Sequence, residues 1–260
     1  MDALYRSIVA LGIDVGGSSV KVVRLEGEEA TLVARIPHQA RGLDALLEVL
    51  VRAPIADGPV GLAVAGLVRG DLVARSGNLG LVDAPLRAAL EARVGRKLDA
   101  FISDARATGI AALSEPSLPG RLVALALGTG VGGALIEGGR IIKDEGLGHG
   151  TLAPEDAPLP CALGHARCLE AHLGAAALAR KGGAASAEEL DRRAEGGDER
   201  ARAVLHDAGA LLARSFECPI LLAGGVAGSR ALREGARATL SRFHPLTAAV
   251  GAALAASGPG

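Results

Sequence analysis

The chain has 260 residues, 49% of them hydrophobic and 22% charged, with a formal net charge of −1. That balance excludes a disordered chain and leaves room for one large domain or two lobes around real cores. The near-neutral charge provides no basic field for nucleic acid, and Tyr5, Phe101, Phe216 and Phe243, with no Trp, provide no stacking platform for bases or oligosaccharides.

Taken in chain order, apolar alternation predicts strands at residues 8–13, 20–25 and 31–36. Leu43, Leu46, Leu47 and Leu50 recur at helical spacing and predict a helix over 43–52, ended by Pro54 and the Asp57-Gly58-Pro59 turn. A buried strand at 60–65, a short strand at 72–75, a helix over 85–94, a strand at 100–103 and a helix over 104–113 follow. The second half repeats the opening with strands at 122–127, 131–137 and 140–143, then an irregular Pro-containing stretch over 147–164. Helices are expected at 168–180, 187–194, 199–216, 230–241 and 246–256, with a buried strand at 219–223 before Gly224-Gly225. Strand–helix alternation of this kind argues for an α/β fold. The stretch before Asp14 lacks the basic start of a signal peptide, and no apolar run reaches the roughly 18 residues of a membrane span. Three cysteines, an odd number, fit a reducing cytoplasm.

Two of the predicted hairpins carry glycine-rich turns, IDVGGSSVKVVRL over 13–25 and LGTGVGGALIEGGR over 127–140. Glycine at a turn lets backbone N–H groups crowd around an anion with no Cβ in the way. Two such turns in equivalent halves imply a clamp on a polyphosphate, and hence a nucleotide-dependent phosphotransferase. The second turn also fits G-x-G-x-x-G through Gly128, Gly130 and Gly133, but a strand rather than a helix follows it, which argues against dinucleotide binding. No P-loop motif occurs.

Asp14 closes an apolar strand just before the first turn. A carboxylate there is costly unless paired or metal-bound, and it suits a water-mediated Mg²⁺ contact; the alternative is a solvated Asp in an ordinary turn. Ser18 and the N–H groups of Gly16 and Gly17 are placed to approach phosphoryl oxygens, with Lys21 beside them. Asp104 follows a short apolar strand and opens a helix, as either an N-terminal cap or a general base.

The run Asp14 to Lys21 reads D-x-G-G-[ST]-x-x-K. Gly61 to Gly66, Asn78-Leu79, Ser103-Asp104-Ala105, Leu127 to Gly130, Gly148-His149, Cys168-Leu169-Glu170, Ala223-Gly224-Gly225 and Gly251-Ala252-Ala253 follow it. In order and spacing these motifs make nearly the whole chain resemble the ROK family of bacterial sugar kinases and repressors, within the actin-like ATPase superfold. The resemblance implies a two-lobed actin-like ATPase, or ribonuclease H-like, α/β fold of duplicated βββαβαβα units. Residues 1–104, completed by a C-terminal helix at 246–258, would form one lobe, and 105–245 the other. Repressors of the family carry a DNA-binding segment ahead of the first turn; thirteen residues precede Asp14 here, so a kinase is expected.

By that resemblance, ATP with Mg²⁺ is held by Asp14, Gly16, Gly17, Ser18, Lys21, Gly128, Thr129, Gly130, Gly224 and Gly225. Gly66, Asn78, Ser103, Asp104, Glu145, His149 and Glu170 would bind a hexose or amino sugar, with Asp104 as the base for its 6-hydroxyl. Inorganic polyphosphate is the alternative donor, since short members of the family use it. A catalytically weak sugar- or nucleotide-binding protein is the alternative role. A cytoplasmic dimer or tetramer is implied, with no nucleic acid or membrane partner.

Three positions depart from the family pattern. The Asn expected before the base is Ser103, and the sugar-binding Glu expected three residues before His149 is Gly146, with Glu145 one residue out of place. The zinc motif retains His149, Cys161 and Cys168, but its middle cysteine is Leu163; His165 is the candidate fourth ligand. His38, His172, His206 and His244 fit no motif and read as surface or core residues.

Overall fold

A computed structural model describes residues 9–55, 58–150, 153, 155–157 and 160–258. Ile8 of the first expected strand and Asp57 of the expected turn lie outside them. The chain divides into two compact units, Met1–Ala111 with Leu246–Gly260, and Ala112–Pro245.

In the first unit β1 (Val9–Val15), β2 (Ser19–Glu26) and β3 (Glu29–Pro37) form an antiparallel run. After α1 (Leu43–Leu50), β4 (Val60–Val64) joins β1 in parallel, and β8 (Ala100–Ser103) joins β4 in parallel, giving the order β3-β2-β1-β4-β8. β4 is buried along its whole length, as a central parallel strand covered on both faces must be. β3 is mostly exposed and lies at the edge. Between β4 and β8 the chain adds a small antiparallel sheet, β5 (Leu67–Arg69), β6 (Leu72–Ser76) and β7 (Leu81–Ala84), then α2 (Leu86–Val94). Only β6 was expected; β5 and β7 are too short and too exposed to carry a clear alternation. α3 (Asp104–Leu113) follows β8.

The second unit repeats the arrangement. β9 (Arg121–Leu127), β10 (Val131–Glu137), β11 (Arg140–Lys143), β12 (Ile220–Ala223) and β13 (Thr239–Leu240) form a sheet of order β11-β10-β9-β12-β13. Its helices are α4 (Leu147–Gly150), α5 (Leu169–Leu173), α6 (Ala175–Gly182), α7 (Ala187–Glu195), α8 (Glu199–Ser215) and α9 (Arg230–Ala236). Two expectations are corrected here. The single helix over 168–180 is two, because the chain turns extended at Gly174 (φ −59°, ψ 147°). The helix over 230–241 stops at Ala236, where Arg237 takes a left-handed conformation, and Thr239 and Leu240 pair in parallel with β12.

α10 (Thr247–Ala256) packs in the first unit against β1 and β4. It is built almost wholly of Ala, Gly, Val and Leu, and it lies so close that a Cβ on Gly12 or Gly61 would collide with its backbone carbonyls at Ala249 and Ala252. Small residues on both sides are therefore what allow this helix to cover the sheet. Among the described residues no helix is long and apolar enough to cross a membrane.

Candidate active site

In the first unit the expected site residues gather at the carboxyl ends of three neighbouring parallel strands. Val15 is in register with Val64, and Val64 with Ser103, so the turn after β1, Gly66 after β4 and Asp104 after β8 share one edge of the sheet. Loops at this edge are where open parallel sheets bind ligands. Gly16 N–H donates to Ser19 O (3.1 Å) and closes the first turn, leaving Gly16 and Gly17 partly exposed and Ser18 exposed. Asp14 is buried and directly opposite Lys21 in the β1–β2 pair, with Lys21 Nζ 3.0 Å from its Oδ2. Lys21 thus neutralises a carboxylate that burial would otherwise penalise. Gly66 (φ 131°) must be glycine, since a Cβ would run into Arg75 and Ser76. Asn78 is half-buried in the loop between β6 and β7.

Ser103 and Asp104 stand where β8 passes into α3. Ser103 Oγ accepts the Arg106 N–H (3.1 Å), three residues on, which is the contact of a helix N-cap. The cap of α3 is therefore Ser103. Asp104 stands half-buried in the first turn of the helix, its Oδ1 accepting the Ala105 N–H at 2.9 Å.

In the second unit, the turn at 128–130 follows β9, and Gly224-Gly225 follow its parallel neighbour β12. Gly224 (φ 84°) sits against the Leu127 backbone, leaving no room for a Cβ. The turn is closed by Gly128 N–H to Gly130 O (3.0 Å), and Ala175 N–H donates to Gly128 O (2.8 Å). In a trans peptide the C=O and the following N–H point to opposite sides, so this contact aims the Thr129 N–H away from α6. Glu170 is buried and its Oε2 accepts the Val131 N–H (3.0 Å); the same oxygen lies 3.7 Å from His149 Nε2, beyond a hydrogen bond. Glu145 and Gly146 are exposed ahead of α4, and Gly146 adopts φ 68°, a conformation that a Glu there would reach only with strain.

His149, Cys161, His165 and Cys168 converge. One donor atom from each lies within 4.8 Å of all the others. Cys161 Sγ and Cys168 Sγ are 3.6 and 3.9 Å from His149 Nδ1. A tetrahedral zinc with bonds of about 2.3 Å to sulfur and about 2.0 Å to nitrogen separates S and N by roughly 3.5 Å, so the donor set fits that ion in type, number and spacing. Burial, opposed by the Ala171 N–H and reinforced by Cys161 and Glu170, pushes the Cys168 thiol up to about 11. A bound cation must displace that proton. Cys161 and Cys168 are both free thiols.

Of the histidines without a motif, His172 is a satisfied core residue: its ring bonds Glu155 O (2.9 Å) and Lys181 Nζ (3.2 Å), and burial lowers its pKa. His38 is different. Its ring reaches Gly16 O (3.1 Å) in the first glycine turn, a contact with no local sequence signal because the two residues lie on separate segments.

Two sheets of matching strand order, each with a glycine turn at its carboxyl edge, define a protein of the actin-like ATPase fold. The chain belongs to the ROK family, whose family model matches residues 10–222. It is 30% identical over 252 residues to the N-acetylmannosamine kinase of Escherichia coli (strain SMS-3-5 / SECEC), covering 85% of this chain and 84% of that one. It aligns with the ROK hexokinase from Thermus thermophilus at a TM-score of 0.65 and 25% identity, over 96% of this chain and 98% of the other. A ROK family glucokinase from Streptomyces griseus, solved with glucose and AMPPNP, shares its fold at a TM-score of 0.78 and 19% identity, over 94% and 98% of the two chains.

Proposed function

We propose that this ROK carbohydrate kinase transfers the γ-phosphoryl group of ATP to a hydroxyl of a hexose or an amino sugar, with the 6-hydroxyl as acceptor. The observation that carries the reading is the common edge of β1, β4 and β8, where the first glycine turn and Asp104 emerge from parallel strands in register. Because Ser103 supplies the cap of α3, the Asp104 carboxylate is not required for that purpose.

In this reading Asp104 takes the proton of the acceptor hydroxyl. The acceptor oxygen bonds to the γ-phosphorus while the bond from that phosphorus to the bridging oxygen breaks, releasing ADP. Transfer of this kind depends on positioning and on donors aimed at the phosphoryl oxygens, a role that the backbone N–H groups of a glycine turn can fill. Mg²⁺ neutralises phosphate charge when bound, and Asp14 is the carboxylate that would hold it through water. His149, Cys161, His165 and Cys168 would hold a structural Zn²⁺ and so brace the segment leading into α5, which carries Glu170.

The kinship to an N-acetylmannosamine kinase favours an amino sugar among the acceptors. Gly146 and the use of Ser103 as a cap favour a second reading, a weak sugar binder, because both remove polar groups expected to contact the sugar. A coupled assay of ADP release tests the choice, with N-acetylmannosamine, mannose and glucose as acceptors. Sugar-dependent ADP release is expected; sugar binding without ADP release supports the weak binder. A parallel set with polyphosphate in place of ATP reads the donor through formation of the sugar phosphate.

A further inference from the structure

His38 lies just beyond β3, beside the first glycine turn rather than in it. Its backbone N–H donates to Ser18 O (3.0 Å), which hangs the residue against that turn. Its ring Nδ1 accepts the Ala40 N–H (3.2 Å). An acceptor at Nδ1 makes Nε2 the protonated nitrogen of the neutral ring. That Nε2–H then donates to Gly16 O at 3.1 Å.

The consequence lies across one peptide plane. Gly16 C=O and Gly17 N–H leave opposite sides of the same trans peptide. Holding the carbonyl on the imidazole therefore aims the Gly17 N–H out of the other face of the turn. Two adjacent glycines do not hold such a plane by themselves, since their backbone has the widest conformational choice. The Gly16 N–H is already used within the turn by Ser19 O.

We propose that His38 is a positioning residue: it locks the Gly16–Gly17 peptide so that the Gly17 N–H is preset to donate to a nucleotide phosphate. The identity of that anion rests on the kinase reading; the locking of the peptide does not.

The test combines a spectroscopic reading with two variants. Long-range ¹H–¹⁵N NMR of the protein without nucleotide should show the His38 ring as the Nε2–H tautomer; a predominant Nδ1–H tautomer overturns the proposal. His38→Phe keeps the ring's bulk without a donor, and His38→Gln keeps an N–H of similar reach. His38→Phe should weaken ADP binding and raise the KM for ATP about five- to tenfold, the loss of one neutral hydrogen bond. The KM for the sugar should stay within about twofold, and His38→Gln should recover most of the loss, because only the donor has been restored. Unchanged ADP affinity in His38→Phe overturns the proposal, and so does an equal loss in His38→Gln. A wild-type protein that releases no ADP with any sugar counts against the kinase reading; the ring tautomer still decides the role of His38.

Discussion

Glu91 accepts hydrogen bonds from Arg87 Nε (3.0 Å), Lys97 Nζ (2.6 Å) and the Leu98 N–H (3.0 Å) while itself buried in α2. Burial alone would raise its pKa, but Lys97, the Leu98 N–H and Arg87 outweigh it and lower the value from 4.5 to about 2. A folded-state pKa below the unfolded one gives stability that is complete above the unfolded value and lost as the pH falls through the folded one. The first unit should therefore lose stability between pH 4.5 and about 2, and Glu91→Gln should flatten that part of the profile. Urea unfolding of both proteins across that range checks this; equal slopes would contradict it. Single-residue roles were the least legible in the sequence. Ser103, expected among the sugar contacts, accepts the Arg106 N–H as a helix cap does, while His38 fitted no motif and touches the glycine turn. Both facts depend on hydrogen bonds whose partners the local pattern does not reveal.

At the scale of elements, the long central strands were readable because their residues are almost continuously buried, as in β4 and β9. β13 was not, since two residues at the end of a helical pattern carry no period. Likewise the break at Gly174 lay inside an Ala- and Leu-rich run that looks helical throughout; the structure uses it to bring Ala175 N–H onto Gly128 O. The sequence marked His149, Cys161 and Cys168 as a candidate zinc motif, and the structure brings His165, four residues after Cys161, together with them. Protein purified without added zinc should carry about one Zn²⁺ per chain, as a four-donor structural site implies. Cys168→Ser should lower that content sharply and reduce thermal stability, since binding energy at such sites is folding energy. Elemental analysis together with thermal unfolding reads both, and clearly substoichiometric zinc in the wild type would remove the metal from the account.

At the scale of the whole chain, the duplication was legible as two three-strand openings with glycine turns, and the two sheets have the same strand order, 3-2-1-4-8 and 11-10-9-12-13. A repeated strand order places each glycine turn at the same position, after the first strand of its sheet, which is how one glycine-turn hairpin comes to occur twice. In the proposed reaction Asp104, at the edge shared with the first turn, removes the acceptor's proton while that turn holds a nucleotide phosphate. Asp104→Asn preserves the side chain's size and removes its basicity. Asp104→Asn should lower turnover about a hundredfold or more, the scale of general base catalysis, with ADP affinity held within about threefold. Turnover close to wild type in Asp104→Asn would contradict it.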